Sequence, residues 1–392
     1  MAGSKVKVDL GEPVVVAVSQ VNEARWGFHQ FPALTRLPDG TILIMYADAA
    51  DMSETHGEPA PAFVSSDEGR TWQAHSGEPQ PIRPHFSISE VFDGEYLVMP
   101  SHRYLDITAA GVVMPEPVSE ANVYGVVRCY RVEDLPAAVQ EYYRHIPARR
   151  WSPRTRQWQD DRVEYELRGL MAWKRDGSVV LPRTYFERSL LKFHDELLYA
   201  DYRAHYALAD GTVPPKGASH LMVSADNGRS FQRRATIAAD PAGNDLMGEP
   251  HLSPTADGNL VCVVRKTDHV QKPMAITWSK DGGRTWTPAR KLLEFGVWPC
   301  LQLLGCGVLV LSYGRPGVHL RLAADGTGQD WSDPVTLIEG THEEVTKHTC
   351  GYSSLLALSA DTVLIAYSDF LHTDADGNRR KAILVRPVSV SA

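Results

Sequence analysis

The chain has 392 residues, of which 43% are apolar and 22% charged, and its formal net charge is −8. This composition is typical of a globular protein that is long enough to bury a large core. The acidic balance argues against a nucleic acid or an anionic membrane as partner, because either would need a basic face. No run of 18 apolar residues indicates a membrane span. At about 150 residues per domain the length suggests two or three domains, although an all-β fold of this size often forms one.

The N-terminus and the cysteines bear on the compartment. The first 13 residues, MAGSKVKVDLGEP, contain no apolar signal region, so a cytoplasmic location is expected, with the mature form of a secreted protein as the alternative. The cysteines are odd in number and show no C-x-x-C spacing, which predicts free thiols: Cys129, Cys262, Cys300, Cys306 and Cys350. No H-x-H spacing supports a metal site either, so neither a metal nor another cofactor is expected. The oligomeric state stays open.

The chain repeats an eight-residue turn, which we call the aspartate turn. Good copies are SSDEGRTW (65–72), SADNGRSF (224–231) and SKDGGRTW (279–286), with a stretched copy at 323–331 and a worn one at 152–158. The Asp carboxylate can accept backbone N–H bonds inside its own turn, and Gly supplies a positive φ. The final Trp or Phe can bury a large ring between layers.

A second repeat is a hairpin in which a short strand, a turn of the Asp-Gly type and a nearly continuous apolar strand follow one another. Asp-Gly between apolar runs is a strong hairpin signal. Four strands for each of six copies predict an all-β fold, a six-bladed β-propeller with four antiparallel strands per blade and a single domain over 1–392. The last strand, 382–390, would share a blade with 14–20. The six copies are 31–48, 87–103, 167–186, 249–266, 298–315 and 352–369.

Two segments interrupt the repeat. Apolar residues at rough helical spacing over 132–151 predict a helical insertion around 130–160. A second long connection is expected around 186–215. Insertions on one face of a propeller often shape its site.

These turns and hairpins resemble those of the sialidase (neuraminidase) superfamily, whose six-bladed propellers carry Asp-box, or BNR, repeats. The resemblance covers nearly the whole chain and implies a glycosidase site. In the family an Arg-Ile-Pro motif in the first blade holds the substrate carboxylate, and here Gln30 occupies the place of its Arg. Gln cannot make a charge-assisted bidentate bond, so a poor sialidase is expected.

The same resemblance implies the catalytic groups. Glu249 and Arg265, 16 residues apart, match a Glu and an Arg of the family's fourth blade, Arg315 matches its third Arg, and Tyr352 matches its nucleophilic Tyr. The family's acid lies in the loop after the first hairpin, for which Asp51 is favoured. The other acid candidates in that loop are Asp48, Glu54, His56 and Glu58.

The residues themselves lead to a similar site. In a propeller, the first strand of each blade starts, and the second strand ends, at the same end of the central channel. Ionisable groups that converge there are hard to explain by packing alone. A Glu beside a Tyr can take the phenolic proton, so that a nucleophile of ordinary pKa near 10 can act at neutral pH. Besides Glu249, Tyr352 and Asp51 as catalytic residues, the predicted substrate-binding residues are Arg265, Arg315, Gln30, His29, His102, Arg103 and His251.

Three functions therefore stay open, all with a carbohydrate as partner. The first is an exo-acting glycoside hydrolase on an anionic or polyhydroxylated glycan. The second is a polysaccharide lyase or an atypical His-dependent glycosidase, suggested by the sequence His102-Arg103-Tyr104. The third is a sugar-binding propeller without catalysis.

Overall fold

A computed structural model describes residues 6–52, 55–99, 102–103, 105–122, 126–174, 183–184, 188–202, 217–240, 242, 245–267 and 271–391. The chain is 50% strand and 4% helix, which makes the fold all-β. Within these ranges no helix is both long and apolar enough to cross a membrane.

The N-terminal part forms two strands of the last sheet and then a four-stranded antiparallel sheet. The first two strands are β1 (Lys7–Leu10) and β2 (Val14–Val18), which both pair with the final strand of the chain. The first sheet consists of β3 (Phe28–Arg36), β4 (Ile42–Asp48), β5 (Ala62–Ser65) and β6 (Gln73–Ala74).

The middle of the chain forms an eight-stranded sheet and two small ones. Its elements are β7 (Ser89–Glu90), β8 (Tyr96–Val98), β9 (His102–Arg103), β10 (Ser119–Asn122), β11 (Val126–Arg131), α1 (Ala137–Arg144), β12 (His145–Ser152), β13 (Gln157–Tyr165), β14 (Leu170–Lys174), β15 (Arg183–Thr184), β16 (Leu191–Phe193), β17 (Glu196–Asp201), β18 (Ser219–Ser224) and β19 (Ser230–Ala238). The large sheet has the order β16-β17-β18-β19-β13-β12-β8-β7. It consists of two antiparallel halves, which the parallel pair β13–β19 joins.

Three further sheets follow. They are built from β20 (Leu246–Pro254), β21 (Leu260–Thr267), β22 (Met274–Ser279) and β23 (Arg290–Leu293), then β24 (Val297–Leu303), β25 (Leu309–Gly314), β26 (Val318–Ala323) and β27 (Val335–Ile338), and last β28 (Ser353–Ala357), β29 (Thr362–Thr373) and β30 (Arg379–Ser391). The last sheet is completed by β1 and β2, so the two ends of the chain share it.

Five of the six predicted hairpins coincide with observed strand pairs: β3–β4, β7–β8, β20–β21, β24–β25 and β28–β29. The hairpin predicted at 167–186 is wrong. There β14 pairs with β11, and β15 pairs with β9. The hairpin that starts the second half of the eight-stranded sheet is β16–β17, which turns at His194–Asp195 without a glycine and therefore lacked the expected signal.

The two segments expected as insertions both contribute strands to the eight-stranded sheet. Within 130–160 the helical residues are α1 and a 3-10 turn at Val132–Asp134, and β12 and the start of β13 follow α1. The helix ends before Pro147, whose missing N–H and ring are incompatible with a helix interior. Within 186–215, β16 and β17 lie in the sheet, whereas 186–187 and 203–215 fall outside the described residues.

The aspartate turns have the predicted local bonds. In the turn at 279–286 the Asp281 carboxylate accepts the backbone N–H groups of Arg284 at 3.0 Å and Thr285 at 2.9 Å. The Ser279 hydroxyl accepts the N–H of Gly283 at 2.8 Å. The turns at 65–72 and 224–231 repeat these bonds. All five predicted turns connect the third and fourth strands of a sheet or of a half-sheet.

Buried apolar side chains form separate cores between parts of the structure that follow one another along the chain. These cores join the first sheet to the eight-stranded sheet, the two halves of that sheet to each other, and each later sheet to the next. A further core lies between the last sheet and the first, where Leu364 and Ile383 pack with Leu34 and Ile44. Each four-stranded sheet, each half of the eight-stranded sheet and the last sheet therefore bury both faces against neighbours.

The aspartate turns take part in this packing, which can be tested at Gly283. A Cβ there would lie 2.2 Å from Cδ2 of Leu221, in the preceding half-sheet. We expect Gly283→Ala to lose about 1–2 kcal/mol because its φ is +82°, and about 1–3 kcal/mol more from overpacking. Gly258→Ala is the matched control, since its φ is +79° with no atom within 4 Å of the new Cβ. Equal losses of unfolding free energy in urea would contradict the packing of this turn on Leu221.

Candidate active site

Glu249 lies at a bulge near the start of β20. The pairing register with β21 shifts between Gly248 and His251, and Glu249 itself has a φ of 44°. A bulge of this kind re-aims a side chain that a regular strand would direct to one face of the sheet. The residue is buried, with 7% of its surface exposed.

Three donors from three sheets bind the Glu249 carboxylate. Arg265, near the end of β21, donates from Nη1 to Oε1 at 2.7 Å. Tyr352, just before β28, donates its hydroxyl to the same oxygen at 2.5 Å. The backbone N–H of Trp298 in β24 donates to Oε2 at 3.0 Å. The Arg265 guanidinium also lies 3.3 Å from the Tyr352 hydroxyl, so the three side chains form one cluster.

The pKa shifts of this cluster follow from burial and charge. Burial alone would raise the pKa of Glu249, but the Arg265 charge and the hydrogen bonds from Tyr352 and Arg265 lower it to about 2. Burial, and then the nearby Glu249 charge, raise the pKa of Tyr352 well above its ordinary value of 10. At neutral pH the carboxylate is therefore charged and the phenol keeps its proton.

Arg315, another of the predicted substrate-binding residues, lies beside the same cluster. Its Nε donates to the carbonyl of Cys350 at 2.8 Å. Its guanidinium carbon lies 5.1 Å from the ring centre of Tyr352 and 5.2 Å from that of Trp26. Two guanidinium groups thus lie beside the phenol, one on its hydroxyl and one on its ring.

Aromatic rings surround Tyr352, and sequence reasoning missed most of them. Phe31 lies edge-on at 5.0 Å, Trp298 stacks at 4.7 Å, and His85 lies 5.9 Å away, nearly parallel. His85 also stacks on Trp298 at 4.3 Å. Burial lowers the pKa of His85 to about 3, so this ring is neutral at pH 7. Rings of this kind present flat apolar surfaces next to the polar cluster.

A sequence signal for two of these rings exists. Phe31, Glu249 and Trp298 each precede a proline, each have a positive φ, and each lie where the register of the first strand pair of a sheet shifts. Aligning these residue–proline pairs across the repeats would have placed Phe31 and Trp298 beside Glu249.

Asp51, the predicted acid, lies beside this cluster in the loop after β4. Its carboxylate accepts the indole N–H of Trp26 at 3.0 Å and contacts His56 Nε2 at 3.1 Å. About a third of the side chain, 32%, is exposed. Burial raises the pKa of Asp51, but the hydrogen bonds from His56 and Trp26 outweigh it and lower that pKa below its ordinary value. Through Trp26, Asp51 is connected to Arg315.

Several predicted substrate-binding residues make their contacts elsewhere. His29 places Nδ1 2.9 Å from the carboxylate of Asp48 and packs on Tyr46. Gln30 is fully buried, and its amide has no partner among the described residues. His251 accepts the backbone N–H of Leu301 at 3.0 Å.

Other predicted residues lie outside the described part of the chain. His102 and Arg103 are described only as backbone, in β9, without their side chains, and Glu54 and Tyr104 are not described. The described residues contain no cluster of three or more His, Cys, Asp or Glu side chains that could hold a metal ion.

Comparison with known proteins gives likenesses of structure alone. No protein-family model matches the sequence, and no curated protein matches it. A crystal structure of a protein of unknown function from Dyadobacter fermentans DSM 18053 is 18% identical, with a TM-score of 0.65 over 98% of this chain and 99% of that chain. An α-L-arabinofuranosidase from Fusarium graminearum is 14% identical, with a TM-score of 0.56 over 95% and 97%.

A mutant of the NanB sialidase from Streptococcus pneumoniae is 12% identical, with a TM-score of 0.54 over 95% of this chain and 70% of that chain. The arabinofuranosidase and the sialidase are glycoside hydrolases with β-propeller folds. At these identities the likeness shows the fold that the chain shares with them.

The low pKa of Glu249 predicts a stability profile. A carboxyl whose folded pKa is about 2 and whose unfolded pKa is near 4.5 stabilises the fold above pH 4.5. This contribution is lost as the pH falls from 4.5 towards 2. We expect Glu249→Gln to be less stable than the parent chain at pH 7, with a difference that shrinks towards pH 3. Urea unfolding at pH 7, 4.5 and 3 measures it, and Glu343→Gln, on the surface, is the control. A difference that is constant with pH would contradict the assigned charge state.

Proposed function

We propose that the chain is an exo-acting glycoside hydrolase that acts on an anionic or polyhydroxylated glycan. The observation that carries this proposal is the cluster of Tyr352, Glu249 and Arg265, which lies beside Arg315 and Asp51 and among aromatic rings. The names of two structural neighbours, a sialidase and an arabinofuranosidase, support the reaction class. We further propose a single domain with six blades, which is supported by the cores between successive sheets and by the core between the last sheet and the first.

In the proposed first step the Tyr352 oxygen attacks the anomeric carbon. The phenolic proton moves to Glu249 Oε1, 2.5 Å away, as the new C–O bond forms. Attack and proton transfer must occur together, because burial and the Glu249 charge raise the pKa of Tyr352 and keep the free phenol protonated. The glycosidic C–O bond breaks, and the leaving oxygen takes a proton from the protonated form of Asp51, which is the minor form in the free site because the pKa of this carboxyl is lowered. Water then attacks the same carbon and gives its proton to the Asp51 carboxylate, while the bond from the carbon to the Tyr352 oxygen breaks and the proton on Glu249 returns to the phenol.

The surroundings suggest the class of substrate. Arg265 and Arg315 provide positive charge for a carboxylate or hydrogen bonds for hydroxyl groups. Phe31 and Trp298 provide surfaces for the apolar faces of a sugar ring. Gln30 supplies no third cation and is buried, so sialosides are expected to be poorer substrates than other sugars.

The test is a screen of chromogenic sialosides, uronides and arabinofuranosides, followed by product analysis. A reducing sugar as product supports the proposal. An unsaturated sugar, which absorbs in the near ultraviolet, would assign a lyase, and binding without turnover would assign a sugar-binding propeller. Either of these two results would overturn the proposed hydrolase. Efficient turnover of sialosides, with a kcat/KM of about 10⁴ M⁻¹s⁻¹ or above, would contradict the inference from Gln30.

Tyr352 and Glu249 are expected to act as one unit. Tyr352→Phe removes the attacking oxygen and keeps the ring, while Glu249→Gln keeps the shape and removes the proton acceptor. Each should lower kcat by at least about 10²-fold. The double variant should be little worse than the worse single variant, because parts of one catalytic unit are not additive. A Tyr352→Phe enzyme with a nearly unchanged kcat would remove the nucleophile assignment.

The role of Asp51 can be tested through the leaving group. Nitrophenolate departs readily without protonation, whereas an alkoxide does not. We expect Asp51→Asn to lower kcat/KM on an alkyl glycoside by about 10²-fold or more and to change the rate on the nitrophenyl glycoside much less. Asp48→Asn, whose carboxylate contacts His29, is the control. Equal losses on both substrates would assign Asp51 a structural role beside Trp26 and His56.

A further inference from the structure

A cavity of about 460 Å³ runs along the first strands of the sheets. In β24 its lining extends from Trp298 near the start of the strand to Leu303 at its end. His85, Arg188 and His251 line it as well, while Glu249, Arg265 and Tyr352 do not. Its volume lies within the range of about 300–1,000 Å³ found for small-molecule sites. The cavity therefore adjoins the proposed catalytic cluster through Trp298 and His85, but the three polar side chains of that cluster do not line it.

Arg188 is a cation in this cavity for which the described part of the chain provides no carboxylate partner. Its Nη1 donates to the sulfur of Cys300 at 3.0 Å. Its guanidinium carbon lies 3.9 Å from the ring centre of Trp298, a cation–π contact. Its Nη2 is buried and has no hydrogen-bond acceptor among the described residues. A buried guanidinium with an unused donor needs an acceptor, and a charged acceptor satisfies it best.

Trp298 separates Arg188 from the catalytic cluster. His85 and Tyr352 are both nearly parallel to the indole, at 4.3 Å and 4.7 Å, but only 5.9 Å from each other. Rings on opposite faces of the indole would be about 7 Å apart or more, given the contact distance between stacked atoms. The two rings therefore share one face. They leave no room there for a guanidinium at 3.9 Å, so Arg188 lies on the other face.

The rest of the lining favours an anion. Arg36 also lines the cavity, and its guanidinium donates to the carbonyls of Gly40 at 2.9 Å and Ala357 at 3.4 Å rather than to a carboxylate. Lys192 is balanced by Glu90 at 2.6 Å. Burial lowers the pKa of His251, so this ring adds no charge at neutral pH. Two guanidinium groups that no carboxylate of the described residues pairs thus line one cavity of a chain whose net charge is −8.

We propose that this cavity is a binding site for a small oxyanion, whose negative charge the Arg188 guanidinium balances. The size of the cavity accommodates an anion as large as a sugar acid, and inorganic phosphate offers the same oxygen acceptors. The site lies behind Trp298 as seen from Tyr352. Binding can be measured without turnover, so this inference does not rest on the proposed hydrolase.

Isothermal titration calorimetry with sodium glucuronate and with inorganic phosphate tests it, with glucose as the neutral probe. We expect saturable binding of at least one anion and none of glucose. Arg188→Gln should weaken that binding about ten- to a hundredfold, as loss of a charge-assisted hydrogen bond does. Arg284→Gln removes the same charge from an exposed turn and should leave the affinity unchanged. The two anions distinguish a sugar acid from an inorganic ligand.

Two further variants keep the result unambiguous. Arg315→Gln alters the catalytic cluster, so binding that depends on Arg315 and not on Arg188 would overturn the proposal by placing the anion on the Tyr352 side. Arg188→Lys keeps the charge and should bind more tightly than Arg188→Gln. This variant replaces the Gln variant if circular dichroism shows that the latter does not fold. Absence of binding of both anions at about 10 mM would also overturn the site.

Discussion

The carboxylate of Glu249 is the acceptor that three sheets share. It takes hydrogen bonds from Arg265 in its own sheet, from the backbone of Trp298 in the next, and from Tyr352 at the start of the last. A buried carboxylate is tolerated only when it is paired and hydrogen-bonded. The bonds that make its burial acceptable also hold the phenol and a guanidinium in place. The contacts between these three sheets and the protonation states of Glu249 and Tyr352 therefore depend on the same hydrogen bonds.

One backbone feature delivers different side chains to this centre. Phe31, Glu249 and Trp298 lie at register shifts, have positive φ and precede proline. Such backbone costs about 1–3 kcal/mol per residue and persists only where the surroundings hold it. The three side chains are an apolar ring, a carboxylate and an indole. The bulge therefore determines where a side chain points, while the residue at the bulge determines the chemistry, so a common fold is compatible with several activities.

The sequence predicted local features better than distant ones. The turn at 279–286 could be recognised because Asp281, Gly283 and their partners lie within a few residues of one another. The predicted third hairpin failed because an Asp-Gly pair stands in 167–186, whereas the observed turn at His194–Asp195 lacks a glycine. Glu249, Arg265 and Tyr352 were found through matched hairpin positions. The positions of Trp26 and Arg188 depend on loops and on stacking across sheets, for which no short sequence pattern exists.

Trp298 contacts both the catalytic cluster and the side chains that line the neighbouring cavity. One face of its indole carries Tyr352 and the other carries Arg188, while its backbone N–H donates to Glu249. The cation–π contact stabilises Arg188 on the ring only while the guanidinium stays over the indole and is not paired with an anion. An anion that draws Arg188 away would change the packing on one face of the indole and, through the same residue, the hydrogen bond to Glu249. Because interiors are close-packed, such a shift cannot be confined to one side of the ring.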